Sequence, residues 1–544
     1  MIKYKYIHLL LLFAAWTVVG CNTLDPIPTD RHTDETFWQS VDNAELIVNM
    51  AYNQMYSADK MWNDEALSDN IFEGRTNTSQ RAVRNGIADP SLSLFAEEWK
   101  QAYEGLKTCH IFLANIDRVP EIDANLKARR ISEIRFIRAF IYFRLVNFYG
   151  DVPFFTTDIT LGESYTKSRT PKAEILSFIH TELQEISTLL PSRNELSAAD
   201  NGRITKGAVE AFQARAYLYE GNWNKVVEHC ENLMNQQGTF GEYRLFESYS
   251  GLFTVANEYN QEVILDYGYV PEVKLWSKLY DAAPLSANAR LNAYAPLQSL
   301  VDNYITLKGL PISQDASYNE DNPYVNRDPR MAATIVFHGG EWENFDGQIS
   351  TIYIKPGTAT NEQQRLDEYV SASSNSTSTG YYVKKYYDVT ARDNYNSELN
   401  IIMFRYADVL LMYAEAKNEL SKLSSQDWDS TIKMIRQRAG LENATALNFP
   451  TSASQDQLRT IIRNERRTEL ALEGLRYYDI LRWKAGSQYL QGEVRGAKFA
   501  NGNASYIRLD TRKFDENRDY LWSVPRSQMD LNQNLLPNNP GYAN

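Results

Sequence analysis

Apolar residues recur at helical spacing in two long blocks, up to about residue 237 and again after Ile401. This pattern sets the fold class as mostly α. Its clearest stripe is Ile134, Ile137, Ile141, Leu145 and Phe148, widened by Phe136, Phe140 and Phe143. So wide a stripe predicts a helix buried on more than one side. Gly150 suits the residue after its last turn, and Pro153 bars continuation.

Residues 205–234 read as a helix–turn–helix pair. Ala208, Ala211, Ala214, Ala216 and Leu218 form one helix, Gly221 and Asn222 the turn, and Trp223, Val226, Val227 and Cys230 the second. Small residues facing larger ones within roughly 34 residues is the tetratricopeptide pattern, here without its closing proline. Residues 404–439 form a second such pair, with Ala407, Leu410, Leu411 and Ala414 against Ile432 and Ile435. Further helical segments lie around 44–55, 99–116 and 175–190. Such units predict a helix-pair solenoid with one continuous core.

Residues 238–400 differ. They are rich in Tyr, Asn, Gly, Ser and Pro, with short strand-like runs at 334–337 and 349–354. The tail, residues 491–544, is also irregular. Long irregular segments on a rigid frame usually carry function. The expected body, residues 37–544, is therefore a helical scaffold at about 37–237 and 401–490, a loop-rich binding region at about 238–400, and the tail.

The first twenty residues read as a targeting segment: Lys3 and Lys5, then an uncharged apolar run from Leu9 to Val19. That run is too short to span a membrane and fits a secretory signal. Val18, Val19, Gly20 and Cys21 resemble the lipobox of bacterial lipoproteins, which implies cleavage before Cys21 and its lipidation. Residues 21–36, with Asp25, Pro26, Pro28, Asp30 and Asp34, read as an extended tether. Lipid would then hold the protein on a surface.

Lys+Arg 56 against Asp+Glu 69 leaves a formal charge of −13, and −15 once Lys3 and Lys5 are removed with the leader. Nucleic-acid binding by counterion release is not expected. The other cysteines, Cys109 and Cys230, lie in apolar helical patterns and read as buried thiols. No His-Glu-x-x-His, Walker, Gly-x-Ser-x-Gly or dinucleotide fingerprint occurs, and no His pair has metal spacing. No catalytic residue, cofactor or metal is expected. A glycosidase carboxylate pair is defined by separation in space, so an all-helical glycoside hydrolase stays open as an alternative at this stage. The run from Arg463 to Glu473 places Arg463, Arg466 and Arg467 on one face and Glu465, Glu469 and Glu473 on another. That predicts an ion-pair network.

Several motifs together resemble the SusD/RagB-like outer-membrane lipoproteins of Bacteroidota. They include Gly150-Asp151-Val152-Pro153-Phe154-Phe155, the run from Phe404 to Ala416, and Ile435-Arg436-Gln437-Arg438-Ala439-Gly440. The run from Glu465 to Trp483, Asn326-Arg327-Asp328-Pro329-Arg330, Thr36-Phe37-Trp38 with Ala51-Tyr52, and Asn539-Pro540-Gly541-Tyr542 complete the set in family order. The resemblance implies a tetratricopeptide-like scaffold and a non-enzymatic lipoprotein, lipid-anchored in the outer membrane and facing outward. Such a protein captures oligosaccharide or polysaccharide for a SusC-like TonB-dependent transporter; capture of peptide or another nutrient on the same scaffold is the alternative. Within the motifs, Arg405, Asp408, Glu415, Arg476, Asp479 and Arg482 read as scaffold ion pairs.

A glycan site needs exposed aromatic platforms beside groups that bind hydroxyls. The expected ligand residues are Trp62, Asp69, Asn70 and Arg75 after the first helix. Trp276, Tyr280, Asn292, Tyr294 and Trp342 join them from the loop-rich region. Trp38, Trp99, Trp223 and Trp483 read as core, and Tyr381, Tyr382, Tyr386 and Tyr387 as strand packing.

Overall fold

The computed structural model describes residues 34–74, 78–499 and 505–544. The leader, Cys21 and the tether as far as residue 33 lie outside the described residues, as does Arg75. The expected extended tether stops earlier than residue 36, because Asp34–Phe37 is a helical turn and Arg118 pairs with Asp34.

The scaffold helices used below are α1 (Val41–Met55), α2 (Ala58–Ala66), α3 (Ser93–Asn115), α4 (Ala124–Tyr149), α5 (Lys172–Ser187), α6 (Lys206–Glu220) and α7 (Trp223–Asn235). After the insertion come α8 (Tyr406–Glu419), α9 (Ile432–Arg438), α10 (Gln455–Glu469), α11 (Arg476–Arg482) and α12 (Arg526–Leu531). Contacts run α1 to α3, α3 to α4, α4 to α5, α5 to α6, α6 to α7, α7 to α8 and α8 to α10. Each helix thus stacks on its neighbours in a helix-pair solenoid, as expected from the sequence.

Local chemistry explains the ends. Asp123 caps α4 by accepting from the Leu126 amide, and Gly150 ends it at φ 70°. Thr205 caps α6, and Gly221 closes it in the left-handed region at φ 74°. From Ile134 to Phe148, α4 is buried on all sides except at Arg135 and Asn147, as its wide stripe requires. Ala208, Ala211, Ala214 and Ala216 are fully buried, and their small side chains let α7 pack close. Cys109 and Cys230 are free, buried thiols.

The insertion has only short strands: β1 (Ile71–Glu73) pairs with β3 (Tyr294–Pro296), and β4 (Glu341–Glu343) with β5 (Ile349–Thr351). The expected strand at 334–337 is reduced to Ile335–Val336, paired with Tyr382–Val383. The run at 349–354 is strand only through Thr351. One ribbon has no counterpart in the sequence reading: β2 (Val263–Tyr267) pairs antiparallel with β6 (Ile401–Arg405), clasping the two ends of the insertion. In the tail, Gly492–Arg495 and Arg508–Arg512 form a hairpin.

A dry ionic network bolts this insertion to the scaffold. Arg405 donates to Glu262 at 2.7 Å, to Glu469 at 2.7 Å and to both Glu473 oxygens at 2.7 and 2.8 Å. Arg330 reaches Asp328, Glu465 and Glu469 at 2.7–2.8 Å, and Lys385 reaches Glu473 at 2.7 Å. Arg438 pairs with Glu262 and Glu469, and Arg436 with Glu465. Deeper in the scaffold Arg466 joins Asp408 to Asp479, while Arg482 holds Glu415 and Asp479. The family motifs are therefore structural cement, as their residue types indicate.

Candidate functional site

Nine residues carry the sequence expectation of a ligand site, and the structure divides the eight it describes into three groups. The first is a correction. Trp62, Trp276 and Trp342, expected as exposed platforms, have only 1%, 7% and 0% of their surface accessible. Trp62 lies inside α2 and not on a loop after the first helix, and Trp342 sits on β4. Trp276 donates its indole N–H to the Leu399 carbonyl at 2.7 Å. The physical reason is that a strand-poor insertion has no regular core of its own. Its largest apolar rings are drawn inward whatever the polarity of their sequence neighbours.

The second group is also corrected. Asp69 and Asn70 are buried, and they face the scaffold. Asp69 pairs with Arg476 at 2.7 Å and Arg467 at 3.0 Å. Burial would raise its carboxyl, but the two arginines outweigh burial and hold it down at about 2. Asn70 accepts from Arg467 and donates to Glu65. Asn292 is buried too: it donates to the Tyr294 carbonyl and accepts from the Ser378 amide, tying down the serine-rich loop. All three are buried and already hydrogen-bonded within the fold, so none stands as an exposed ligand group.

Tyr294 and Tyr280 remain half-buried, and around them a face assembles that the sequence did not reveal in full. Tyr294, on β3, rests against Trp62 with ring centroids 5.6 Å apart. Lys278 lies 5.6 Å from the Tyr294 ring centre and pairs with Asp59 at 2.6 Å. Burial lowers the Lys278 ammonium, yet Tyr294 and Asp59 more than offset this, and the charge is retained. Arg290 forks onto both oxygens of Asp281 at 2.9 and 2.6 Å and covers the Tyr280 ring at 5.4 Å. Tyr280 in turn lies parallel to Tyr395 at 6.2 Å.

From Tyr395 the ring chain continues to Phe345 at 5.0 Å and Tyr387 at 6.1 Å, with Trp342 4.2 Å beneath Tyr387. Asn394 and Tyr395 both have positive φ, 49° and 57°. Two consecutive non-glycine residues in the left-handed region cost on the order of 1–3 kcal/mol each, and such strain collects at binding sites. At the Asp59 end the face drops into a polar cleft of about 120 Å³ lined by Ser57, Asn63, Glu97 and Gln101. Trp62 and Trp342 thus form a floor under Tyr294 and Tyr387, and Phe345, Lys278 and Arg290 stand beside these rings and Tyr280. This arrangement can stack flat apolar faces while charged forks bind hydroxyl or carbonyl groups.

Sequence reasoning missed Asp59, Lys278, Asp281, Arg290 and Tyr387 as members of this face. Lys278 and Tyr280 follow Trp276 at i+2 and i+4, so the segment was identified but not the side that faces water. Arg75, also expected at the site, lies outside the described residues.

Two family models match: one described as the SusD family over residues 261–542, and one described as starch-binding, associating with outer membrane, over residues 24–218. The chain is 27% identical to SusD-like protein P2 of Formosa agariphila, over 99% of this chain and all of that one. It is 30% identical to the starch-binding protein SusD of Bacteroides thetaiotaomicron over a quarter of this chain and 24% of that one. A crystal structure of a SusD-like carbohydrate binding protein from Bacteroides fragilis superposes with a TM-score of 0.83. That pair is 26% identical over 92% of this chain and 100% of that one.

Proposed function

The chain belongs to the SusD family, and on that premise we propose that it is a cell-surface binding lipoprotein that captures oligosaccharides or polysaccharides. In this reading it hands them to a SusC-like TonB-dependent transporter in the outer membrane. The observation that carries the proposal is the half-exposed ring series Tyr294, Tyr280, Phe345 and Tyr387, seated on buried tryptophans and flanked by Lys278 and Arg290. Sugar rings offer apolar C–H faces to aromatic planes and hydroxyl pairs to such charged groups. A carbohydrate-binding relative of 26% identity with the same fold supports the ligand class.

Capture without chemistry also suits the carboxylates of the face. Asp59 and Asp281 are each tied to a neighbouring cation at 2.6 Å, so both carboxylates serve to hold Lys278 and Arg290 in place. The attachment proposed is the lipid at Cys21, on the lipobox resemblance of Val18, Val19, Gly20 and Cys21.

The test is calorimetric titration of the intact chain in detergent with plant, host and microbial oligosaccharides, assaying reducing ends afterwards. Binding to one glycan class with no new reducing ends is expected, weakened about tenfold or more by Tyr280→Ala and Tyr294→Ala. Unchanged affinity in both variants refutes the face. New reducing ends refute capture alone.

A further inference from the structure

A second cavity lies across α3 from the tyrosine face. Glu97 and Gln101 of α3 line the polar cleft beside Asp59, whereas Trp99, Tyr103, Leu106 and His110 project from the other side of the helix. That apolar stripe, with the 154–170 loop and α12, encloses a groove of about 390 Å³. Phe155 and Ile159 are shared with a shallower, more polar compartment of about 740 Å³ on the far side of the loop. Both volumes lie in the roughly 300–1,000 Å³ range of small-ligand sites.

Three observations mark the groove as more than a packing defect. His110 on its wall is only 4% exposed, and although the ring interacts with the Phe155 backbone, its Nε2 is left without a partner at hydrogen-bonding geometry among the described residues. A buried polar atom left unmatched costs about 1–3 kcal/mol, so it calls for a partner. Burial holds the ring's pKa down to about 4, and at neutral pH an uncharged imidazole meets the ligand. Next, the exposed Lys107 and Asp158 and the half-buried Gln528 stand at the groove, and their side chains make no ion pair or hydrogen bond among the described residues. The Asp158 carboxylate is close enough to act on His110. Finally, Leu161 and Leu531 at the rim are 69% and 57% exposed, although large apolar side chains gain by burial.

The ligand chemistry follows from this mixture. One unpaired cation, one unpaired anion and a neutral amide around an aromatic floor disfavour a ligand carrying a single net charge, which would meet its own sign. They also leave an acyl chain with nothing to offer His110. A neutral polyhydroxy ring satisfies both demands: C–H faces on Tyr103, Phe155 and the rim leucines, and hydroxyls toward His110, Lys107, Asp158 and Gln528. We propose that the groove between α3, the 154–170 loop and α12 is a second saccharide-binding site, separate from the tyrosine face. It rests on the capture reading above for the ligand's origin, but its geometry is independent of that face.

The probes are laminaribiose, cellobiose, maltose and xylobiose, followed by saturation-transfer NMR and calorimetry on the intact chain in detergent. Gln528→Trp fills the groove from its exposed side, Lys107→Ala removes a rim donor, and Tyr294→Ala disables the other face. Unchanged thermal melting shows that the variants fold. Two classes of site are expected, one weakened about tenfold or more by Gln528→Trp and Lys107→Ala, the other by Tyr294→Ala. A single class that only Tyr294→Ala removes overturns the groove and leaves the tyrosine face standing. A single class that only the groove variants remove supports the groove and overturns the tyrosine face. No binding by any of the four sugars overturns both.

Discussion

Replacing Arg405 by methionine is the sharpest test of what holds the loop-rich insertion on its scaffold. Arg405 belongs to a network of five carboxylates, Glu262, Asp328, Glu465, Glu469 and Glu473, and five cations, Arg330, Lys385, Arg405, Arg436 and Arg438. None of these side chains is more than 6% exposed. Methionine keeps most of the apolar stem but leaves five buried carboxylates against four cations. Removing one partner of a buried ionic cluster costs about 3–5 kcal/mol, because the remaining charge is neither paired nor hydrated. The double variant Arg405→Met with Glu473→Gln restores the balance at four against four. It should lose less than the sum of the single variants, by about 1–3 kcal/mol.

Protonation supplies a second signature. In Arg405→Met, a stranded carboxylate has a folded pKa above its unfolded value of about 4.3. Its neutral form therefore stabilises the fold below that value, and the benefit is lost as pH rises through the folded pKa. The deficit against wild type should be smaller at about pH 5 than at about pH 7. The assay is urea unfolding followed by tryptophan fluorescence, with amide exchange of the Ile401–Arg405 strand as the local readout. A deficit below about 1 kcal/mol, or one that does not change with pH, would refute the reasoning by showing that water reaches the network.

Three further outcomes follow from the same coordinates. Trp342→Ala should cost about 3–5 kcal/mol and abolish glycan binding at the tyrosine face by removing the floor under Tyr387, whereas Tyr280→Ala should reduce binding there with unchanged melting. Asp69 is held at about 2 in the fold, below its ordinary 3.8. Its stabilisation is complete above the unfolded value and lost as pH falls through about 2, so Asp69→Asn should destabilise at neutral pH by a margin that shrinks on acidification. Burial pushes the Cys109 thiol up to about 12 and the Cys230 thiol also upward, so neither should react with a thiol reagent until denaturant is added.

Reading the chain alone went furthest where a property is written in spacing. The 3.6-residue stripe of α4, the small residues of α6 and the charge alternation of α10 each specify a face. Burial, close packing and ion pairing appeared on those faces. The thiols of Cys109 and Cys230 and the structural roles of Asp408 and Glu415 were legible for the same reason, whereas Arg405 plays its expected ion-pair role from the strand before the helix. In a helix, sequence position determines direction.

The insertion has no such ruler. Trp276 and Trp342 of the insertion, like Trp62 in the short scaffold helix α2, stand among polar neighbours, and nothing local says whether a ring turns to water or to the core. Long-range partners decide it: the Leu399 carbonyl for Trp276, Tyr294 for Trp62 and Tyr387 for Trp342. Asp69 and Asn70 were likewise claimed by Arg467 and Arg476, some four hundred residues away in the chain. By itself the sequence determined the scaffold, its cement and the segments that carry the aromatic residues. Only the tertiary structure decided which rings form the floor and which form the face. That choice depends on how far buried area and satisfied hydrogen bonds outweigh hydration, and both are set by residues distant in sequence.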